Sequence, residues 1–171
     1  MAKCYFYNED CLASMKRMQE KGFKVDLVLS SPPYNTGRPS NSKRSIENLE
    51  SRYDIHLDDM KDEEYAKWIT DIFNNFDKIL NENGVILWNV SYGNEKPNSM
   101  WLSLLSLLQN TNFMIADTII WKKKTALPQN VSRRQLTRIC EFVFVICRKN
   151  EFKTFNAYKQ IKSISKTGQK Y

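Results

Sequence analysis

Residues 31–34 read Ser-Pro-Pro-Tyr, and they follow directly on an apolar run, Val25-Asp26-Leu27-Val28-Leu29-Ser30. Within four positions the chain offers a hydroxyl, carbonyls beside residues that have no amide donor, and an aromatic face. Those are the parts needed to hold a planar base by an exocyclic amino group. Such an amine donates two N–H bonds and accepts none readily, because its lone pair is delocalised into the ring. Acceptors on both N–H groups draw the nitrogen toward tetrahedral geometry and stabilise positive charge that develops on it. An aromatic side chain beside them can stack on a base that has left the duplex.

The elements that position these groups follow from the same residues. Val25 to Ser30 has the β-branched and aliphatic character of a buried strand. Two prolines then fix φ twice and remove two donors, so the strand must stop. A rigid loop at the carboxyl end of a strand is where open α/β sheets bind their ligands.

Ser31-Pro32-Pro33-Tyr34 after a hydrophobic strand resembles motif IV of the DNA amino-methyltransferases, which methylate exocyclic amines of bases. Asn35-Thr36-Gly37 extends the likeness. The resemblance implies S-adenosylmethionine as cofactor, double-stranded DNA as partner, and a setting in restriction-modification. It implies catalytic roles for Ser31, Pro32, Pro33 and Tyr34. The Ser31 hydroxyl and the Pro32 carbonyl would accept the amine's protons, and Tyr34 would stack on the base. Ser30 and Ser31 would lie beside the cofactor. Asp10 stands where the family's Gly-Asp-Cys segment approaches the cofactor's methionine end. Glu9 replaces that glycine here, and Asp10 serves equally well as a helix cap. Asn35 and Arg38 would face DNA. Serine at the first motif position is commoner among enzymes acting on cytosine N4, so cytosine is favoured and adenine N6 is the alternative.

Composition narrows the class. The 171 residues are 42% hydrophobic and 12% aromatic, enough for one folded domain. No apolar run approaches the roughly 18 residues of a membrane span, and the start lacks a signal peptide's apolar region. Both point to a cytoplasmic protein. Cys4, Cys11, Cys140 and Cys147 show no C-x-x-C spacing, and His56 is the single histidine. Zinc is therefore not expected. The cysteines read as reduced thiols, with Cys4 and Cys147 inside apolar strands. None follows a proline, which disfavours the Pro-Cys chemistry of enzymes that methylate the cytosine ring carbon. His56 reads as a surface loop residue.

The net charge of +7 is unevenly spread. Residues 1–100 carry 13 basic and 16 acidic side chains, whereas residues 101–171 carry 13 and 3. A basic half suggests a polyanionic partner. Lys122, Lys123, Lys124, Arg133, Arg134 and Arg138 form a basic loop suited to phosphates. A merely solvated basic face is the plainer reading of the same residues.

Elsewhere the pattern alternates. Lys3 to Tyr7 suggests a short strand. Asp10 opens a helix over 11–20 that stops at Gly22. Residues 35–59 form a long polar, functional loop. Asp62-Glu63-Glu64 begins a helix whose apolar face is Tyr65, Trp68, Ile69, Ile72, Phe73, Phe76, Ile79 and Leu80. Asn83-Gly84 is expected to close it. A strand over 85–90, a helix over 100–109 capped by Ser99, and strands over 113–121 and 141–148 follow. The last two strands have no helix between them and are expected to pair antiparallel. The result is an α/β fold, a Rossmann-like methyltransferase sheet. It is expected to be incomplete: a catalytic half with helices on both faces over residues 1–148. A target-recognition segment or tail would occupy 149–171.

The family's cofactor loop, Phe-x-Gly-x-Gly, does not occur among these residues, whose five glycines are widely spaced. Some members are circularly permuted, with motif IV first and the cofactor half last, and this chain resembles that first half. Related enzymes acting on protein glutamine or ribosomal RNA carry their glycine-rich loop upstream, where this sequence has too few residues. A second chain, or a further segment, would then supply the loop. A homodimer is compatible with the sequence. The alternative is a non-catalytic DNA-binding remnant.

Overall fold

The computed structural model describes residues 3–37, 59–93, 96–124, 139–152 and 167. Three helices and four strands follow in the order α1 (Cys11–Glu20), β1 (Val25–Ser30), α2 (Asp62–Ile79), β2 (Leu80–Val90), α3 (Ser99–Asn110), β3 (Phe113–Lys122) and β4 (Cys140–Arg148).

Local chemistry sets the helix ends. The Asp10 side chain accepts the Leu12 amide at 2.8 Å, which satisfies a free donor of α1's first turn. At the other end Gly22 takes φ +67°. Its amide and that of Phe23 bond back to the Gln19 and Met18 carbonyls. This is a Schellman stop, and it needs a residue tolerant of positive φ. In α2, Asp62, Glu63 and Glu64 occupy the first turn, where the helix dipole favours carboxylates. Tyr65, Ile69, Ile72, Phe73, Phe76 and Ile79 are buried at steps of three and four.

The strands form one sheet in the order β1-β2-β4-β3. β1 and β2 are parallel, with Val28 opposite Ile86 and Ser30 opposite Trp88. β4 runs antiparallel to both β2 and β3, as expected for the last pair. β1, β2 and β3 therefore end at the same edge. That edge carries the Ser31 loop. The core has Phe73 at its centre, with ring contacts at 5.3 Å to Phe76, 5.0 Å to Trp88 and 5.6 Å to Phe113, all near perpendicular.

All three helices lie on the Ile86–Trp88–Val90 face of the sheet, where Met15, α2 and α3 share one core with β2 and β4. Helices on both faces are not found among the described residues. The reason is topological. The crossovers from β1 to β2 and from β2 to β3 progress in one direction, and right-handed crossovers then stay on one side. On the opposite face Leu29 is 72% exposed, and Leu27, Ile119 and Trp121 are exposed as well. β1 has no strand beyond it at the sheet's edge among the described residues.

Three local expectations are corrected. Lys3 to Tyr7 is not a strand. It is exposed, pairs with no strand among the described residues, and is held instead by the Arg17 guanidinium over the Tyr7 ring at 4.3 Å. Cys4 is accordingly exposed outside any strand, whereas Cys147 is buried in β4. Asn83-Gly84 does not end α2, which stops at Leu80. Asn83, at φ +60°, lies inside β2, where the pairing steps from Val25–Leu80 to Leu27–Val85 through a bulge. Ser99 is the first residue of α3 rather than its cap, a place taken by Asn98.

Candidate active site

Ser31 leaves β1 at the carboxyl edge of the sheet and is exposed, while Pro32 is buried behind it. The Ser31 Oγ and the Tyr34 hydroxyl lie 2.7 Å apart. Tyr34 also donates to Asn89 Oδ1 at 3.0 Å. Asn89 stands near the end of β2, and its Nδ2 donates to the Phe142 carbonyl on β4 at 3.2 Å. The Pro33 carbonyl accepts the Tyr65 hydroxyl from the first turn of α2 at 2.7 Å. No such bond reaches the Pro32 carbonyl among the described residues. The two carbonyls thus differ: that of Pro33 ties the loop to α2, whereas that of Pro32 accepts no bond among the described residues.

The turn is closed from below by Asn35. It sits at φ +53°, a region asparagine tolerates better than most residues, and is 0% exposed. Its Nδ2 donates to the Met60 carbonyl at 3.0 Å and to Ser99 Oγ at 2.7 Å. Asn35 is therefore a loop anchor and not a DNA-facing residue: its amide points into the protein, with no surface to offer. Gly93, just beyond β2, passes so close to the loop that a Cβ there would lie 2.4 Å from the Thr36 carbonyl oxygen. Loop, β2, α2 and α3 are locked together around one exposed hydroxyl.

The pattern of the DNA methylase family, N6/N4 type, matches residues 25–171. The chain belongs to this family. Type II methyltransferase M.BglII from Bacillus subtilis is 26% identical over 127 residues, 72% of this chain and 30% of its own length. Among solved structures, the M1.HpyAVI–SAM complex is 21% identical with a TM-score of 0.51. It matches over 84% of this chain and 52% of its own. The PvuII DNA methyltransferase, described as cytosine-N4-specific, has a TM-score of 0.54 at 16% identity, over 78% and 46%. These structural likenesses establish the fold. The chain spans about a third to a half of the length of these relatives.

The other expected site residues are scattered around this corner of the chain. Asp10 is exposed and uses one carboxylate oxygen to cap α1. The structure does not bring it into hydrogen bonding with Ser30 or Ser31. Ser30 is half-buried at the end of β1. A carboxylate and two hydroxyls have the chemistry to bond the polar methionine end of S-adenosylmethionine, though no hydrogen bond among the described residues joins Asp10 to either serine. The described residues offer no glycine-rich turn for the remainder.

Lys122 and Lys124 are exposed, whereas Lys123 pairs with Glu141 at 2.5 Å. All three leave β3 at the carboxyl edge, three strand spacings or about 14 Å from β1. Arg38, Arg133, Arg134, Arg138 and His56 lie outside the described residues, as does most of 149–171. An open polar hollow of about 390 Å³ lies between the N-terminal ends of α2 and α3. It is lined by Lys61, Asp62, Glu63, Lys96, Pro97 and Asn98, and neither Ser31 nor Tyr34 borders it.

Two residues were not anticipated from the sequence. Tyr65 read as a core position, and its hydroxyl escaped notice because helical periodicity reports only the ring. Asn89 carried a usable signal: it is the single polar residue in Val85-Ile86-Leu87-Trp88-Asn89-Val90, next to the strand end where sites form.

Proposed function

We propose that this chain is the catalytic half of a DNA amino-methyltransferase. It would act on the exocyclic amine of an extruded base, with cytosine N4 favoured over adenine N6. One observation carries the reading: an exposed serine hydroxyl stands beside a proline carbonyl that accepts no hydrogen bond among the described residues, on a loop anchored through Pro33, Tyr34 and the Asn35 amide nitrogen. The membership in the DNA methylase family supports the same class of substrate.

In this reading Ser31 Oγ and the Pro32 carbonyl accept the two amine protons. Their partial charges stabilise the positive charge that develops on nitrogen. Anchoring by Tyr65, Asn35 and Asn89 keeps both acceptors in place, so little ordering remains to be done at the moment of reaction. Tyr34 is half-buried and held at its hydroxyl, and in this reading its ring stacks on the base. Bound S-adenosylmethionine would supply an electrophilic methyl group. Asp10, Ser30 and Ser31 would hold its methionine end, and a segment outside these 171 residues, in the same or a second chain, would hold the rest. The exposed apolar residues Leu27 and Leu29 and the edge of β1, unpaired among the described residues, are suited to receive that segment. Lys122 and Lys124 would contact phosphates, together with Arg38, Arg133, Arg134 and Arg138.

The test combines the chain with a cofactor-loop segment and measures methyl transfer to double-stranded DNA. Transfer is expected from the combination and should be nearly abolished by Ser31→Ala or Tyr34→Ala. Identification of the modified base then decides cytosine against adenine. A combination that binds DNA in a salt-sensitive way yet never transfers a methyl group establishes the non-catalytic alternative.

A further inference from the structure

We infer that Asn89 is a positioning residue which sets the hydrogen-bond direction of Ser31, making its oxygen an acceptor toward the ligand and selecting bases that carry an amine over those that carry a carbonyl. This rests on the amino-methyltransferase reading and specifies how its site discriminates.

The direction follows from counting protons along the chain of contacts. The Phe142 carbonyl can only accept, so the Asn89 group facing it at 3.2 Å is the amide nitrogen. The Asn89 oxygen must then face Tyr34, at 3.0 Å. An amide oxygen can only accept, so the one phenolic proton of Tyr34 is given to Asn89. At the 2.7 Å contact between Tyr34 and Ser31 the tyrosine oxygen therefore accepts and Ser31 donates. The single Ser31 proton is turned inward, and only lone pairs remain on the exposed side. Rotating the Asn89 amide would set its oxygen against the Phe142 carbonyl, two acceptors face to face, and is disfavoured for that reason.

A hydroxyl alone is indifferent between donor and acceptor partners. This one is polarised through Tyr34 by a strand residue one hydrogen bond further away. A base amine finds an acceptor there, whereas a carbonyl at the same ring position meets another oxygen's lone pairs. Sites built around fixed hydrogen-bond polarity reject the wrong group far more strongly than shape does.

The experiment uses the methylation-competent protein that contains this chain. Its substrate is a double-stranded oligonucleotide carrying the target base, and its competitor is the same duplex with the base's amine replaced by a carbonyl. Asn89→Leu should lower kcat about 100-fold, the scale of one lost transition-state hydrogen bond. It should also cut the preference for the amine duplex about tenfold, because the Tyr34 proton is then free to turn toward Ser31 and release the Ser31 proton outward. Asn89→Asp keeps the acceptor toward Tyr34 but loses the bond to the Phe142 carbonyl, so it should lower Tm while kcat and base preference stay within about fivefold of the unmodified protein. In a Tyr34→Phe background, Asn89→Leu should add less than about twofold, since coupled residues do not add.

A purely structural clip between β2 and β4 predicts the reverse order, because a carboxylate would repel the Phe142 carbonyl. Asn89→Asp as damaging to kcat as Asn89→Leu, an undiminished loss in the Tyr34→Phe background, or an unchanged base preference would each overturn the inference. Asn89→Ala is read identically if Asn89→Leu does not fold. A protein that never methylates DNA, even unmodified, refutes the underlying function instead.

Discussion

Replacing Asn35 with alanine separates an anchor from a DNA contact. The structure supplies three terms for Asn35→Ala. Positive φ of +53° costs a residue with an ordinary Cβ about 1 kcal/mol. The amide's bond to the Met60 carbonyl, at 3.0 Å, contributes about 1 kcal/mol, and its bond to buried Ser99 Oγ, at 2.7 Å, contributes about the same. The loss is then about 3 kcal/mol, or roughly 6–12 °C in Tm for a chain of this size. Asn35→Gly relieves the backbone term and should lose only about 2 kcal/mol by the same reckoning. Asn35→Asp sets a carboxylate against the Met60 carbonyl and should be the worst of the three. Thermal and urea unfolding followed by circular dichroism measure all three, with DNA binding by fluorescence anisotropy alongside. A Tm change below about 2 °C for Asn35→Ala, together with weakened DNA binding, would show that the side chain faces outward and that the loop anchor is misread.

Other outcomes follow from the same framework. Gly93→Ala puts a methyl group against the Thr36 backbone, at 2.4 Å from its oxygen and 2.5 Å from its Cα, so the motif loop must move. It should cost about 1–3 kcal/mol by urea unfolding, and more activity than Gly84→Ala, whose new Cβ meets chiefly the movable Leu80 side chain. Arg148, with its side chain 12% exposed, bonds Asp77, Glu151 and the Asp77, Leu80 and Asn81 carbonyls around the end of α2. Burial opposes its charge, but those partners outweigh it and raise its pKa. Arg148→Ala should cost about 3–5 kcal/mol by leaving carboxylates and carbonyls half-buried without a donor, and Arg148→Lys should recover only part in the same unfolding assay.

Burial, then Glu151, push the Cys147 thiol up. It should react with iodoacetamide at pH 8 only on unfolding, which mass spectrometry of the labelled peptides reads directly. Bonds from Ser14 and then Arg17 hold the Glu9 carboxyl below its ordinary value. A carboxyl lowered in the folded state stabilises above its unfolded pKa, and that contribution is lost as pH falls through the folded pKa. Glu9→Gln should therefore narrow the Tm difference between pH 7 and the acid side of pH 4, in melts at the two pH values.

Much of the architecture was legible because it is local. Apolar steps of three and four along 65–80 give an amphipathic helix whatever surrounds it, and Asp10 and Gly22 cap and stop α1 through bonds within a few residues. Two prolines after an aliphatic run must end a strand, and the Ser31–Tyr34 chemistry is carried by the residue types themselves. The misreadings all needed a partner distant in sequence. Lys3 to Tyr7 has strand-forming residues but no strand beside it among the described residues. Asn83-Gly84 has a helix-stopping composition but is drawn into β2 by pairing with β1.

Only the folded chain could decide which way the polar groups point. Asn35 looked like a residue for DNA until Met60 and Ser99, 25 and 64 positions away, took its amide. Asn89 stood out only as a polar residue in an apolar strand until β4 supplied a carbonyl to fix its amide and β1's loop supplied a tyrosine to use its oxygen. Residue type states what a group can donate or accept, whereas the direction of each hydrogen bond depends on neighbours that only tertiary packing brings within 3 Å or so.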